Sequence, residues 1–221
     1  MRTIKAAVFD LDNCLGAADE AGRGLLEPAF AAIREANDGT VPDAVLAVAF
    51  DDMWRHGLDW VARAHGFTPA MREAGFRTMA GIEVTAPLSG YGDLGALEEV
   101  RVPRFLVTTG FRRLQESKVR ALGIGALFAE VIVDALDDPE RRGKEAIFAG
   151  LMNRLDIHPA EFVVVGDNEE SELAAGERLG MTTVQTLRPG VPRSGRAMFH
   201  IRSLVELPGV IEAAGRGRED A

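Results

Sequence analysis

Four short stretches of this 221-residue chain combine carboxylates, hydroxyls and a lysine in patterns that could do chemistry. The run from Ile4 to Phe9 is mostly apolar and β-prone, and it leads into Asp10 with Asp12 two positions on. Side chains alternate across a strand, so Asp10 and Asp12 would point the same way if the strand ran through them. Two like charges that close need a cation between them, or one must keep its proton. That suggests an acidic, metal-binding pair at a strand end, although an ordinary polar turn draws on the same residue types. The other three stretches are Thr108-Thr109-Gly110, the charged loop ending in Lys144, and Gly166-Asp167-Asn168. Each falls at the carboxyl end of a predicted strand, and four such clusters on one sheet edge make a site.

The elements that must position them follow from hydrophobic pattern. Ala6-Ala7-Val8-Phe9 shows little alternation, which suits a strand covered on both faces in a parallel sheet. Further strands are predicted at 104–108, 130–133, 161–166, 181–187 and 197–201, with helices at 111–122, 144–155 and 169–179 between them. Strands alternating with helices imply an α/β fold with a doubly wound parallel sheet, in which ligands sit at the carboxyl ends of the strands. From Leu25 to about Met79 the pattern is helical throughout. Thr68-Pro69 has the form of an N-cap followed by proline at the first helical position. The expected division is a core over 1–15 and 90–212, an inserted helical unit over 16–89, and a disordered tail over 213–221. Gly90-Tyr91-Gly92 and the loop Leu15–Gly24 are the expected hinge segments.

Composition narrows the function. A formal charge of −9 argues against a surface that grips nucleic acid, which needs clustered Lys and Arg. The single cysteine, Cys14, rules out an intrachain disulfide and a Cys-rich zinc site. No signal-peptide pattern and no stretch long enough to span a bilayer is present, so a soluble, cytoplasmic protein with no membrane partner is expected. No feature of the sequence specifies an oligomeric state.

Phe9-Asp10-Leu11-Asp12-Asn13-Cys14-Leu15 resembles the first signature of the haloacid dehalogenase superfamily, Asp-x-Asp-x-Thr/Val. Val107-Thr108-Thr109-Gly110 resembles its second, Lys144 its third, and Val165-Gly166-Asp167-Asn168 with the acids that follow its fourth. Order, spacing and strand context agree from Ile4 to about Leu207, and the helical insertion lies where that family carries its small helical (C1-type) cap on a Rossmann-like core. The resemblance implies a Mg²⁺-dependent phosphatase acting on a small phosphorylated metabolite through an aspartyl-phosphate. Asp10 would be the nucleophile and Asp12 the general acid and base. Asp10, the Asp12 backbone carbonyl and Asp167 would hold Mg²⁺. Thr108 with the N–H groups of Thr109 and Gly110 would cradle the phosphate, and Lys144 would neutralise charge there.

Of the three lysines, Lys5, Lys118 and Lys144, Lys118 lies roughly 10 Å along its helix at about 1.5 Å per residue. Lys144 is therefore the expected partner of the phosphate. Two departures from the family pattern stand out: Cys14 replaces the usual Thr or Val, and Glu172 replaces an Asp that acts around the metal. Alternatives are a phosphomutase of the same fold and a non-catalytic phosphate sensor; Asp12 argues against a dehalogenase. Substrate choice would fall to Trp54, Arg55, His56, Trp60 and Arg63, with core packing the commoner fate of the two tryptophans.

Overall fold

The computed structural model describes residues 3–216. The first strand, β1 (Ala6–Phe9), is buried along its whole length. Four helices follow before the next strand: α1 (Glu27–Glu35), α2 (Asp43–Asp52), α3 (Leu58–Ala64) and α4 (Pro69–Met79). The expected cap at Thr68 is present, its hydroxyl accepting from the Met71 N–H at 3.3 Å. The chain then alternates β2 (Arg104–Gly110), α5 (Arg112–Leu122), β3 (Glu130–Ala135), α6 (Lys144–Leu155), β4 (Phe162–Gly166), α7 (Ala174–Leu179), β5 (Thr182–Thr186), β6 (Phe199–Ile201) and α8 (Leu207–Arg216).

The six strands form one sheet in the order β3-β2-β1-β4-β5-β6, every pair parallel. The strand order reverses at β1, which pairs with β2 on one side and β4 on the other. That reversal opens a crevice at the carboxyl ends, where ligands bind in sheets of this kind. Phe9 lies opposite both Leu106 and Val165, so the residues after β1, β2 and β4 emerge side by side.

Packing explains why these runs lack alternation. Ala7, Phe9, Leu106, Val163 and Val165 enter one core cluster, while Ala6, Val8, Phe105, Val107, Phe162 and Val164 enter another on the opposite face. A third cluster belongs to α1–α4 and includes Phe111 and Leu114 of α5. α5 is therefore shared between the sheet and the helical unit.

Four local expectations are corrected. β1 stops at Phe9, so Asp10 and Asp12 lie in a turn where Leu11 O accepts from Leu15 N–H and Asp12 bridges Gly16. β2 continues through Thr108, Thr109 and Gly110 instead of stopping at 108. The helix expected from Glu169 begins as a π-type turn over Glu169–Leu173, kinked at Ser171, before α7. The tail does not start at 213: α8 runs to Arg216 because Leu207 and Ala214 reach the core, and 217–221 lie outside the described residues.

The connections to the helical unit are laced together. Glu20 accepts from the Ser89 N–H at 2.6 Å and the Gly90 N–H at 3.1 Å, and Leu15 O accepts from Tyr91 N–H at 3.2 Å. Beneath them Arg188, buried after β5, donates to both Asp93 oxygens at 2.8 and 3.0 Å and to Cys14 O at 3.0 Å. Its guanidinium also stacks 4.4 Å from the Tyr91 ring centroid. Partial burial opposes charge on Asp93, yet bonds from Arg188, Leu204 N–H and Ser203 hold its carboxyl below the usual range. Losing one partner of a desolvated pair leaves the other uncompensated. Arg188→Met is expected to destabilise the fold by about 3 kcal/mol, measured by urea unfolding.

Candidate active site

The sheet edge delivers Asp10, Thr108, Lys144 and Asp167 to one cavity of about 510 Å³. Asp10 follows β1 and its N–H is fixed by Val165 O at 2.9 Å. Lys144 opens α6, and its Nζ donates to Asp10 Oδ1 at 2.9 Å and Glu172 Oε2 at 2.7 Å. Both carboxylates and the lysine are almost fully buried. Asp167, directly after β4, brings a carboxylate oxygen within 4.8 Å of those of Asp10 and Glu172.

Glu172 reaches this cluster because the chain makes room for it. A Cβ on Gly166 would stand 2.3 Å from Glu172 Oε1, so only glycine fits there. The π-type turn brings Glu172 back over β4, where Oε1 also accepts from Asn168 N–H at 2.6 Å.

Three buried carboxylates face one ammonium, and the imbalance shows in their proton affinities. Desolvation pushes Asp10 up from 3.8 to about 7; Lys144 opposes this and Glu172 reinforces it. Burial, with Glu172 and Asp10 nearby, also raises Asp167 well above the usual range. Burial works against charge on Lys144, but Asp10 and Glu172 outweigh it and raise its pKa. The lysine stays charged and the excess is negative. A divalent cation held by oxygen ligands is the natural complement to such a donor set, so these residues fit a metal.

The loop ahead of Lys144 is anchored by Asp134 at the end of β3. It accepts from Thr109 Oγ1 at 3.0 Å and from Gly143 N–H at 3.0 Å. Arg141 joins Asp134 (2.9 Å) to Asp59 of α3 (2.7 Å), tying the sheet to the helical unit. Thr108 is buried at the cavity wall, and its hydroxyl makes no hydrogen bond among the described residues. Gly110 and Thr109 border the same cavity.

Asp12 borders the same cavity as Asp10 but has its own partners, on α5. Its Oδ1 meets Lys118 Nζ at 2.6 Å and its Oδ2 meets Gln115 Nε2 at 2.9 Å. The distance estimated along the α5 axis misled: the helix passes beside the turn that carries Asp12, so a side chain from its second turn reaches the site. Gln115 was not anticipated at all. The helical spacing of Gln115 and Lys118 on one face was the available signal.

Cys14 sits in the sheet core with Sγ 3.7 Å from Val165 O, and burial raises its thiol pKa. At the mouth, His56 and Trp60 stack with ring centroids 4.0 Å apart. Burial lowers the His56 pKa, with Asp52 and Glu170 opposing. Trp54 packs partly against the helical core, and both Trp54 and Trp60 border the cavity.

A family model described as haloacid dehalogenase-like hydrolase matches residues 4–180. The chain belongs to that family. Among curated proteins it is 28% identical over 120 residues to the N-acylneuraminate-9-phosphatase of Rattus norvegicus, covering 52% of this chain and 47% of that one. The chain thus spans about half the length of this relative. Among solved structures, a HAD phosphatase from Thermococcus onnurineus superposes with TM-score 0.62 at 22% identity, covering 94% of this chain and 97% of that one. YfnB of Bacillus subtilis, solved bound to magnesium, gives TM-score 0.62 at 15% identity, covering 95% and 99%. At these identities the structures speak to the fold alone. Among the described residues no helix is long and apolar enough to cross a membrane.

The raised carboxyls set a sign for stability. Between about pH 4 and about pH 7 the unfolded Asp10 has released its proton while the folded one retains it. The unfolded state then binds fewer protons, so metal-free stability falls as pH rises through this window. Millimolar Mg²⁺ is expected to raise the melting temperature more at pH 8 than at pH 5, by differential scanning fluorimetry.

Proposed function

We propose that the chain is a Mg²⁺-dependent phosphatase that hydrolyses a small phosphorylated metabolite through an aspartyl-phosphate on Asp10. The observation that carries this reading is the buried Asp10 carboxylate, held by Lys144 and facing a cavity that also receives Thr108 and Asp167. A carboxylate nucleophile splits one hard displacement into two easier ones. Asp10 Oδ would attack phosphorus as the ester oxygen leaves with a proton from Asp12. Asp12 would then take a proton from the water that attacks the phospho-aspartate, returning Asp10 and releasing inorganic phosphate. Such acid–base help supplies about 10²–10⁴-fold.

Thr108 Oγ1, with the N–H groups of Thr109 and Gly110 ahead of α5, would hold the phosphoryl oxygens. Lys144 would balance charge on the nucleophile and the phosphoryl group, and Glu172 would keep that lysine aimed. Asp10, the Asp12 backbone carbonyl and Asp167 would hold the metal. When bound, Mg²⁺ offsets the repulsion between this carboxylate cluster and a phosphate dianion.

The helical unit over 16–89 would act as a cap that selects substrate. Arg55 and Arg63 from that unit and Arg142 beside Lys144 line the same cavity, and among the described residues no carboxylate pairs with them. Three cations without a carboxylate partner, Arg55 among them held by the Gly190 carbonyl at 2.7 Å, in a chain carrying −9 favour a substrate with a second anionic group. The His56–Trp60 stack offers an apolar face beside them.

Purified protein with Mg²⁺ is expected to release phosphate from monoesters and to stop on adding EDTA. Asp10→Asn should abolish turnover with the circular dichroism spectrum unchanged. In a substrate panel, esters with a second carboxylate or phosphate should show higher kcat/KM than neutral sugar phosphates. Near-normal turnover by Asp10→Asn contradicts the nucleophile assignment.

A further inference from the structure

We propose that Gln115 and Lys118 are positioning residues that fix the Asp12 carboxylate for proton transfer to the leaving group. The inference rests on the phosphatase reading above and extends it to two residues on α5.

Both oxygens of Asp12 are taken, Oδ1 by Lys118 at 2.6 Å and Oδ2 by Gln115 at 2.9 Å. One carboxylate with a different donor on each oxygen has its plane and its tilt defined. The Lys118 side chain is only 9% exposed, and Asp12 is its one ion-pair partner among the described residues. Gln115 is buried as well, and its Nε2 also donates to Thr109 O at 3.1 Å. Both neighbours of that nitrogen are acceptors, which settles the amide orientation. The same orientation leaves Gln115 Oε1 buried without a partner, a costly arrangement for a residue that only fills space. Gly110 makes it possible: a Cβ there would stand 2.3 Å from Gln115 Nε2.

The clamp is built into the fold at both ends. Asp12 sits in the turn closed by its bridge to Gly16. α5 is held by Phe111 and Leu114 in the helical core and by Ser117 Oγ, which accepts from Val84 N–H at 2.8 Å. A proton donor displaced by an ångström loses much of its effect, so fixing its carboxylate is a way to raise turnover. Gln115 and Lys118 act through Asp12: the proton passes between Asp12 and the ester oxygen as the P–O bond breaks.

A leaving-group comparison separates this role from a structural one. A nitrophenolate leaves without a proton, whereas a glycerol alkoxide needs one. Lys118→Met is expected to lower kcat on glycerol phosphate by about 10–10²-fold, part of what a general acid supplies. On 4-nitrophenyl phosphate the loss should be about threefold or less, because that step makes little demand on the acid. Lys118→Arg should recover part of the loss, and Asp12→Asn/Lys118→Met should be no slower than Asp12→Asn alone. Gln115→Leu carries the same comparison if Lys118→Met fails to fold. Equal losses on both esters, unchanged kcat on glycerol phosphate, or additive losses in the double variant overturn the inference while leaving an active wild type. Wild-type protein inactive on both esters overturns the phosphatase reading itself.

Discussion

The buried Lys144 ammonium, facing three buried carboxylates, organises this molecule. Lys144 reaches Asp10 and Glu172, and Asp167 completes a cluster with a surplus of negative charge. Burying such a surplus is costly unless a cation joins it. Much of the surrounding structure serves that cluster. β1 and β4 run parallel in register so that Asp10 and Asp167 emerge together. Gly166 clears space for Glu172, and the π-type turn delivers it. Asp134 fixes the backbone just ahead of Lys144.

The two acids that the sequence spaces by one residue live in different surroundings. Asp10 is buried against Lys144, with its proton affinity raised. The Asp12 side chain is 24% exposed, turned toward α5 and held by two donors. Pairs of acids placed in unlike environments are how one site separates a nucleophile from an acid–base group. α5 links that division to the helical unit: Phe111 meets Phe76 edge-on at 5.2 Å between centroids, and three residues past Leu114 Ser117 binds the chain returning from that unit.

The sheet was legible because its strands are short apolar runs, and α4 of the helical unit because Thr68 caps it ahead of Pro69. The edge positions of Asp10, Thr108, Lys144 and Asp167 followed from the same pattern. Less legible was how side chains are carried beyond an element's end. Alternation applies only within a strand and β1 ends at Phe9, so it is the turn after β1, not the strand, that brings Asp10 and Asp12 to one cavity. Rise along the helix axis put Lys118 out of range, yet axial distance ignores how α5 lies beside the Asp12 turn. Glu172, set around the metal by resemblance, does lie in the acidic cluster with Asp10 and Asp167, and its bond from Lys144 had no signal in the sequence. Arg188 gave no local signal, since its partners Asp93 and Cys14 O come from distant segments.

The central claim is that phosphorus is transferred to Asp10. Acid quench of the enzyme during turnover, followed by proteolysis and mass spectrometry, tests it most directly. The account predicts one added phosphoryl group on the peptide containing Asp10, removed by hydroxylamine and lost in Asp10→Asn. A phosphoryl group on any other residue, or turnover with no phospho-enzyme even in the slowed Asp12→Asn variant, would contradict it.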